Sequence, residues 1–159
     1  MYKIHFSLGN VESAIEELEK YEKKVKENIK ELLSKLLDYG VEIAKYKIVE
    51  LNAVEYGDLL KSLDKMVYKE GQHGVIFTDS PYACYVEFGT GVKGANKPHP
   101  TQPWAYDING HGDDGWWYWD EDFGRARFTK GMPSRPFMYQ TAQELEKFAV
   151  DIAREVFGR

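Results

Sequence analysis

Four residues in the later part of the chain have metal-ligating side chains: His99, His111, Asp113 and Asp114. Compact zinc sites space imidazole and thiolate ligands about two to five residues apart, and this set matches no such spacing and has no cysteine beside it. His and Asp in such a stretch are also ordinary turn formers. His5 and His73 stand too far off in sequence to be joined to the set. Asp120, Glu121 and Asp122 follow Trp116, Trp117 and Trp119, a composition that suits a sugar-binding cleft or a glycosidase, where two carboxylates flank the scissile bond. Consecutive acids at the tip of a hairpin equally make a solvated turn. The glycines of GTGVKG at 89–94 lack the terminal Lys-Ser/Thr that completes a phosphate-cradling loop. Cys84 is the sole cysteine, so no intrachain disulfide can form, and its expected role is that of a small buried hydrophobe. No nucleophile stands beside a base. The expectation is a protein that is not an enzyme and needs neither cofactor nor metal.

The rest of the chain reads as scaffold built to hold the stretch 79–91, DSPYACYVEFGTG. Ser80-Pro81 reads as a helix start, with the serine hydroxyl accepting from an amide and proline at the first helical position. Tyr82, Tyr85, Val86 and Phe88 then fall near helical spacing, and Gly89 supplies the positive-φ residue that ends the helix. Glu87 sits among these apolar side chains. Such a segment can plug a core or present a rim to a partner, and for Phe88 the two readings weigh equally.

The chain before it alternates over residues 3–8, a first edge strand, and then turns helical. From Val11, the residues Ile15, Leu18, Val25, Ile29, Leu32, Leu33, Leu36 and Leu37 recur at three- and four-residue steps, with Ser13 and Glu16 spaced as a capping box. Val41, Ala44 and Ile48 continue the stripe past Gly40 to about Glu50. The pattern fits one rod of about 60 Å, whose spare length would face a neighbouring subunit, or two helices broken at Gly40. Asp58 is placed to cap a short turn carrying Leu59, Leu60 and Leu63. Residues 62–70 and 75–78 read as an antiparallel hairpin turning at GQHG, 71–74.

After Gly91 the composition shifts to Gly, Pro, Asn, Asp and His, and Pro98, Pro100 and Pro103 exclude regular helix over 92–115. Trp104 and Tyr106 argue that part of this long loop packs on something. Residues 116–119 and 125–129 read as a second hairpin, in which adjacent Trp116 and Trp117 must face opposite sides. A last helix carries Phe137, Ala142, Leu145, Ala149, Ile152 and Val156 and should lie beside the first. The fold class is α+β: the long N-terminal and C-terminal helices pack on an antiparallel β-sheet, and residues 1–159 form a single domain with an aromatic loop and hairpin inserted at about 92–132.

The formal net charge is −5, which gives solubility without the basic field of a sequence-independent DNA binder. Direct or sequence-specific nucleic-acid binding is therefore not expected. The N-terminus has neither a basic leader nor a long apolar run, and no segment approaches the length of a membrane span. The expected compartment is a cytoplasm.

SPYACYVEFGTG at 80–91, together with GDLLKSL at 57–63 and PSRPFMYQTA at 133–142, resembles the small tail-component or neck proteins (head-tail joining, tail completion) of long-tailed bacteriophages and Gram-positive prophages. The order and approximate spacing of that family's elements match across most of the chain. Tyr56 departs from the threonine usual before the glycine, and the long aromatic segment between Gly91 and Pro133 is familiar mainly from the Gram-positive branch. The resemblance implies a structural virion protein at the head-tail junction or tail terminus. Its partners would be head-completion or connector proteins and tail-tube or tail-terminator proteins, in a homo-oligomeric ring assembled in the host cytoplasm. The residues best suited to a subunit or partner interface are Tyr85, Glu87, Phe88, Gly89, Thr90 and Gly91 on the rim, and Trp117 and Trp119 on the second hairpin. A carbohydrate-binding module using the Trp-rich hairpin, and a metal-dependent hydrolase, are the other readings.

Overall fold

Helix α1 runs unbroken over Leu8–Glu50, 43 residues, a rod of about 65 Å at 1.5 Å per residue. The structure, a computed structural model, describes residues 8–54, 57–101, 104–107 and 109–158. The expected first strand, residues 3–8, lies outside the described residues except for Leu8, which already begins α1. Because α1 starts there, Ser13 and Glu16 stand inside it and form no capping box. Gly40 does not break the helix. It is buried, and a Cβ placed on it would run into Cδ1 of Ile76 and come within 3.2 Å of Leu145 Cδ2. The helix cost of a glycine, about 1 kcal/mol, is thus incurred where two other elements must approach α1 closely.

Residues 58–61 form α2 (Asp58–Lys61). The expected Asp58 cap is absent: Gly57, at φ +79°, is the residue before the helix and Asp58 is already in its first turn. Strands β1 (Leu63–Tyr68) and β2 (His73–Thr78) pair antiparallel, with Leu63 opposite Thr78 and Tyr68 opposite His73. Their turn falls two residues earlier than GQHG, on a 3-10 segment at Lys69–Gly71. Helix α3 covers Ala83–Phe88. It starts later than Ser80-Pro81 predicts, and the Ser80 hydroxyl, the one buried side-chain polar atom without a partner among the described residues, caps nothing. Helix α4 (Gly91–Asn96) occupies the start of the expected loop, since the prolines exclude helix only from Pro98 onward. Strands β3 (Trp116–Asp120) and β4 (Arg125–Thr129) make the second hairpin, and α5 spans Phe137–Phe157.

The architecture is α+β with two small antiparallel sheets of two strands each. α5 packs along α1, while β1 and β2 lie against the same long helix. The sheet beneath the helices is therefore only the first hairpin; the second belongs to the insertion. The core gathers Ala44 and Ile48 of α1 with Leu59, Leu63, Val86 and Phe137. On α5, Phe137, Ile152 and Val156 are buried as the apolar pattern placed them, but at the second turn Thr141 is buried and Ala142 exposed. The Thr141 hydroxyl can be buried because it donates to the Phe137 carbonyl at 2.7 Å.

Candidate functional site

Three sequence motifs meet at one point of this fold. In the first, Leu59 and Leu63 enter the core, and the Ser62 hydroxyl donates to the Leu59 carbonyl at 3.0 Å. It also bonds Thr78 Oγ1, at 2.6 Å, which ties α2 to the end of β2. In the second, Val86 is buried and its carbonyl accepts from the Arg135 amide of the third motif at 2.9 Å. In that third motif, Ser134 Oγ donates to the Glu87 carbonyl at 2.6 Å. Phe137 is 1% exposed.

The side chain of Glu87 holds this junction. It is buried, and its carboxylate accepts from the amides of Met138 at 2.8 Å and Tyr139 at 2.9 Å, the unpaired first-turn donors of α5. A negative charge at this end also complements the helix dipole. The remaining partner is His99 Nε2, 3.0 Å from Glu87 Oε1. The Thr101 amide donates to His99 Nδ1 at 3.1 Å, which leaves the ring proton on Nε2, directed at the carboxylate. Glu87 thus acts as a long-range cap for α5 and as the anchor of the inserted loop.

An aromatic stack continues from it. Phe88 packs on His99, with ring centres 4.5 Å apart, and stacks on Trp104 at 4.6 Å, while His99 meets the Tyr139 ring edge-on. Trp104 Nε1 donates to the Gly89 carbonyl at 3.0 Å. Gly89, at φ +83°, has the Ser134 amide nitrogen 2.6 Å from where a Cβ would stand, and Thr90 pairs with Met132 as a short antiparallel bridge. Both observations require backbone to lie on backbone here. The GTG turn is therefore internal: Gly89 and Gly91 are buried, and Thr90 and Phe88 are half-buried.

Beyond this junction, Tyr82, Tyr85, Trp104, Tyr106 and Trp116 border an open cavity of about 390 Å3. His111 stacks on Trp116, ring centres 4.5 Å apart. Asp107 accepts from the amides of His111 and Gly112, both at 2.7 Å. These bonds, the Gly112 amide foremost, hold its carboxyl below the usual carboxylate range. On the second hairpin Trp117 and Trp119 share one face and are 69% and 64% exposed. The opposite face carries Asp120, which is buried where a solvated turn was expected and accepts from Arg127 Nη1 at 2.7 Å. The Arg127 hydrogen bond keeps the Asp120 carboxyl low. Glu121 and Asp122 remain exposed.

Of the eight interface candidates, the structure leaves Tyr85, Trp117 and Trp119 presented to solvent, while Glu87, Gly89 and Gly91 are turned to internal contacts. Cys84 is exposed, not buried, because α3 turns Ala83 and Val86 inward instead. Among the described residues no three His, Cys, Asp or Glu side chains converge as a metal site, and no helix is long and apolar enough to cross a membrane. His99, one of the four candidate ligands, is committed to Glu87 and Thr101. Sequence reading missed that role because Glu87 and the amides it caps are far apart in the chain; the helix start at Phe137 without a local capping side chain was the available sign.

In this α+β scaffold the motif residues build its own junction, and Tyr85, Trp117 and Trp119 are left exposed. Residues 13–89 match the family model described as Bacteriophage HK97-gp10, putative tail-component. Over that span, from α1 to the turn after α3, the chain carries the pattern of a phage tail component, as the motifs at 57–63 and 80–91 indicated. The insertion and the motif at 133–142 lie outside the match. Searches of curated proteins and of solved structures found no match.

Proposed function

We propose that the protein is a non-catalytic virion component of a phage or prophage, placed at the head-tail junction or tail terminus, where copies of it close into a ring. The ring would contact a head-completion or connector protein on one side and a tail-tube or terminator protein on the other. The observation that carries this reading is the tail-component match over residues 13–89. A closed ring needs two different patches on each subunit, one meeting the other on the next copy. The exposed face of Trp117 and Trp119 is one, and the rim of the aromatic cavity beside Tyr82 and Tyr85 is the other. Large rings with few rotatable bonds are the side chains that anchor interfaces.

Deleting the gene from an inducible phage tests this: filled heads and finished tails should accumulate separately, and adding the purified protein to the lysate should join them. Infectious particles without the protein would reject the reading. The exposed Trp117 and Trp119 of the Trp-rich hairpin favour, as a second reading, a carbohydrate-binding module. That alternative predicts a glycan-dependent quenching of tryptophan fluorescence by the isolated protein.

A further inference from the structure

The first part of α1 leaves the body of the protein. Every residue over 9–24 is exposed. Contact with the body is made further along, where Lys30 lies under Gly71 and Lys35 pairs with Glu155 of α5 at 2.7 Å. This free segment is not polar all round. Val11, Ile15 and Leu18 begin a seam at the alternating four- and three-residue steps of a heptad. It continues through Glu22, its one polar position, to half-buried Val25 and to Ile29, where Lys26 and Ile29 border the body beside Glu70 and Gly71. Val11, Ile15 and Leu18 are 46%, 50% and 67% exposed. The charge is segregated along the same segment. Residues 8–19 hold Glu12, Glu16, Glu17 and Glu19 and no base, whereas residues 20–30 hold five lysines against Glu22 and Glu27. The helix dipole does not account for this, because its effect is confined to the terminal turns and the lysine block lies far from the end of α1 at Glu50.

We propose that this segment pairs with the same segment of a second copy, antiparallel, about a two-fold axis beside Lys20. Val11 then faces Ile29 of the second copy, Ile15 faces Val25, and Glu12 lies beside Lys26. The acidic part of each helix covers the basic part of the other. A parallel pair would set glutamates on glutamates and lysines on lysines. The occupant is a second copy because the segment is its own complement in sign and in apolar spacing. Glu22 within the seam weakens the pair and helps to fix its register. The contact is isologous and uses neither Trp117 nor Tyr85, so it stands independently of the proposed ring.

The full-length protein should associate reversibly in sedimentation velocity over the micromolar range, and less so at high salt. Glu12→Lys alone and Lys26→Glu alone should each weaken self-association at least about tenfold, since each variant places like charges together. Mixed, the two should recover association as a heterodimer, because both facing pairs are then opposite in sign. Trp117→Ala should leave this association unchanged. In a Cys84→Ser background, a spin label at Gly9→Cys, where nothing crowds the added side chain, should report an intermolecular separation of about 33 Å at the helical rise. A wild-type protein that stays monomeric, a mixture that fails to recover, an association insensitive to Ile15→Lys, which sets a lysine against Val25 of the second copy, or labels in close contact would each overturn the proposal.

Discussion

Glu87 shows how a residue in a functional-looking motif can be occupied entirely by the fold. Its carboxylate accepts from two first-turn amides of α5 and faces the Nε2 proton of His99. Glu87→Ala would leave those buried donors without an acceptor, at a cost of about 3 kcal/mol. The thermal midpoint should fall by roughly 6–12 °C, and a fall of less than about 2 °C would show that water or a neighbour replaces the carboxylate. Loss of assembly in that variant would therefore say nothing about an interface. The sequence marked Glu87 as unusual among apolar neighbours, but the amides it caps lie some fifty residues away in the chain, where no periodicity or local spacing reaches. Cys84 failed for the opposite reason: residue type alone favoured burial, and the phase of a six-residue helix was too short to be read reliably.

At the scale of elements, long periodic segments were legible and their ends were not. The stripe of α1 and the two β-prone pairs predicted the rod, both hairpins and α5 beside α1, because apolar spacing is what packing selects. Caps at Ser13, Asp58 and Ser80 were misplaced, since any Ser or Asp near a helix start satisfies the same rule and only the backbone decides among them. Gly40 was open to either reading until Ile76 and Leu145 were seen against it. Gly40→Leu should therefore wedge β2 and α5 from α1 and destabilise by about 1–3 kcal/mol, whereas Gly9→Ala, in open space on the same helix, should be neutral or slightly stabilising. Denaturant unfolding of the two variants distinguishes them. Acid tests the insertion. Asp107 and Asp120 have folded pKa values below their ordinary ones, through backbone amides and Arg127 respectively. Their stabilisation is present above the unfolded pKa, near 3.9, and is lost as pH falls through the lower folded values. Tryptophan emission from the insertion should accordingly shift below about pH 4, and a shift centred near pH 6 would implicate histidine instead.

For the molecule as a whole, the question is whether surfaces spared by the fold are used in assembly. Trp117 is the sharpest test because its structural duties are small. It is 69% exposed and meets Phe128 of the paired strand edge-on, with ring centres 5.5 Å apart. Such a cross-strand pair contributes no more than about 1 kcal/mol. Trp117→Ala should therefore move the thermal midpoint of the isolated protein by only about 2–4 °C. If the hairpin face seats against the cavity rim of the next subunit, removing the indole takes away an anchoring side chain, and anchors of this kind cost 2 kcal/mol or more when truncated, to take the usual threshold of about that size. Summed around a ring, each subunit loses the same contact, so a modest loss per interface suppresses closure strongly. The variant, expressed from the phage in place of the wild type, should yield folded protein together with unjoined heads and tails seen by electron microscopy. Tyr85→Ala should do the same from the other side of the contact. Folded Trp117→Ala protein that still supports normal titres would remove this face from the interface.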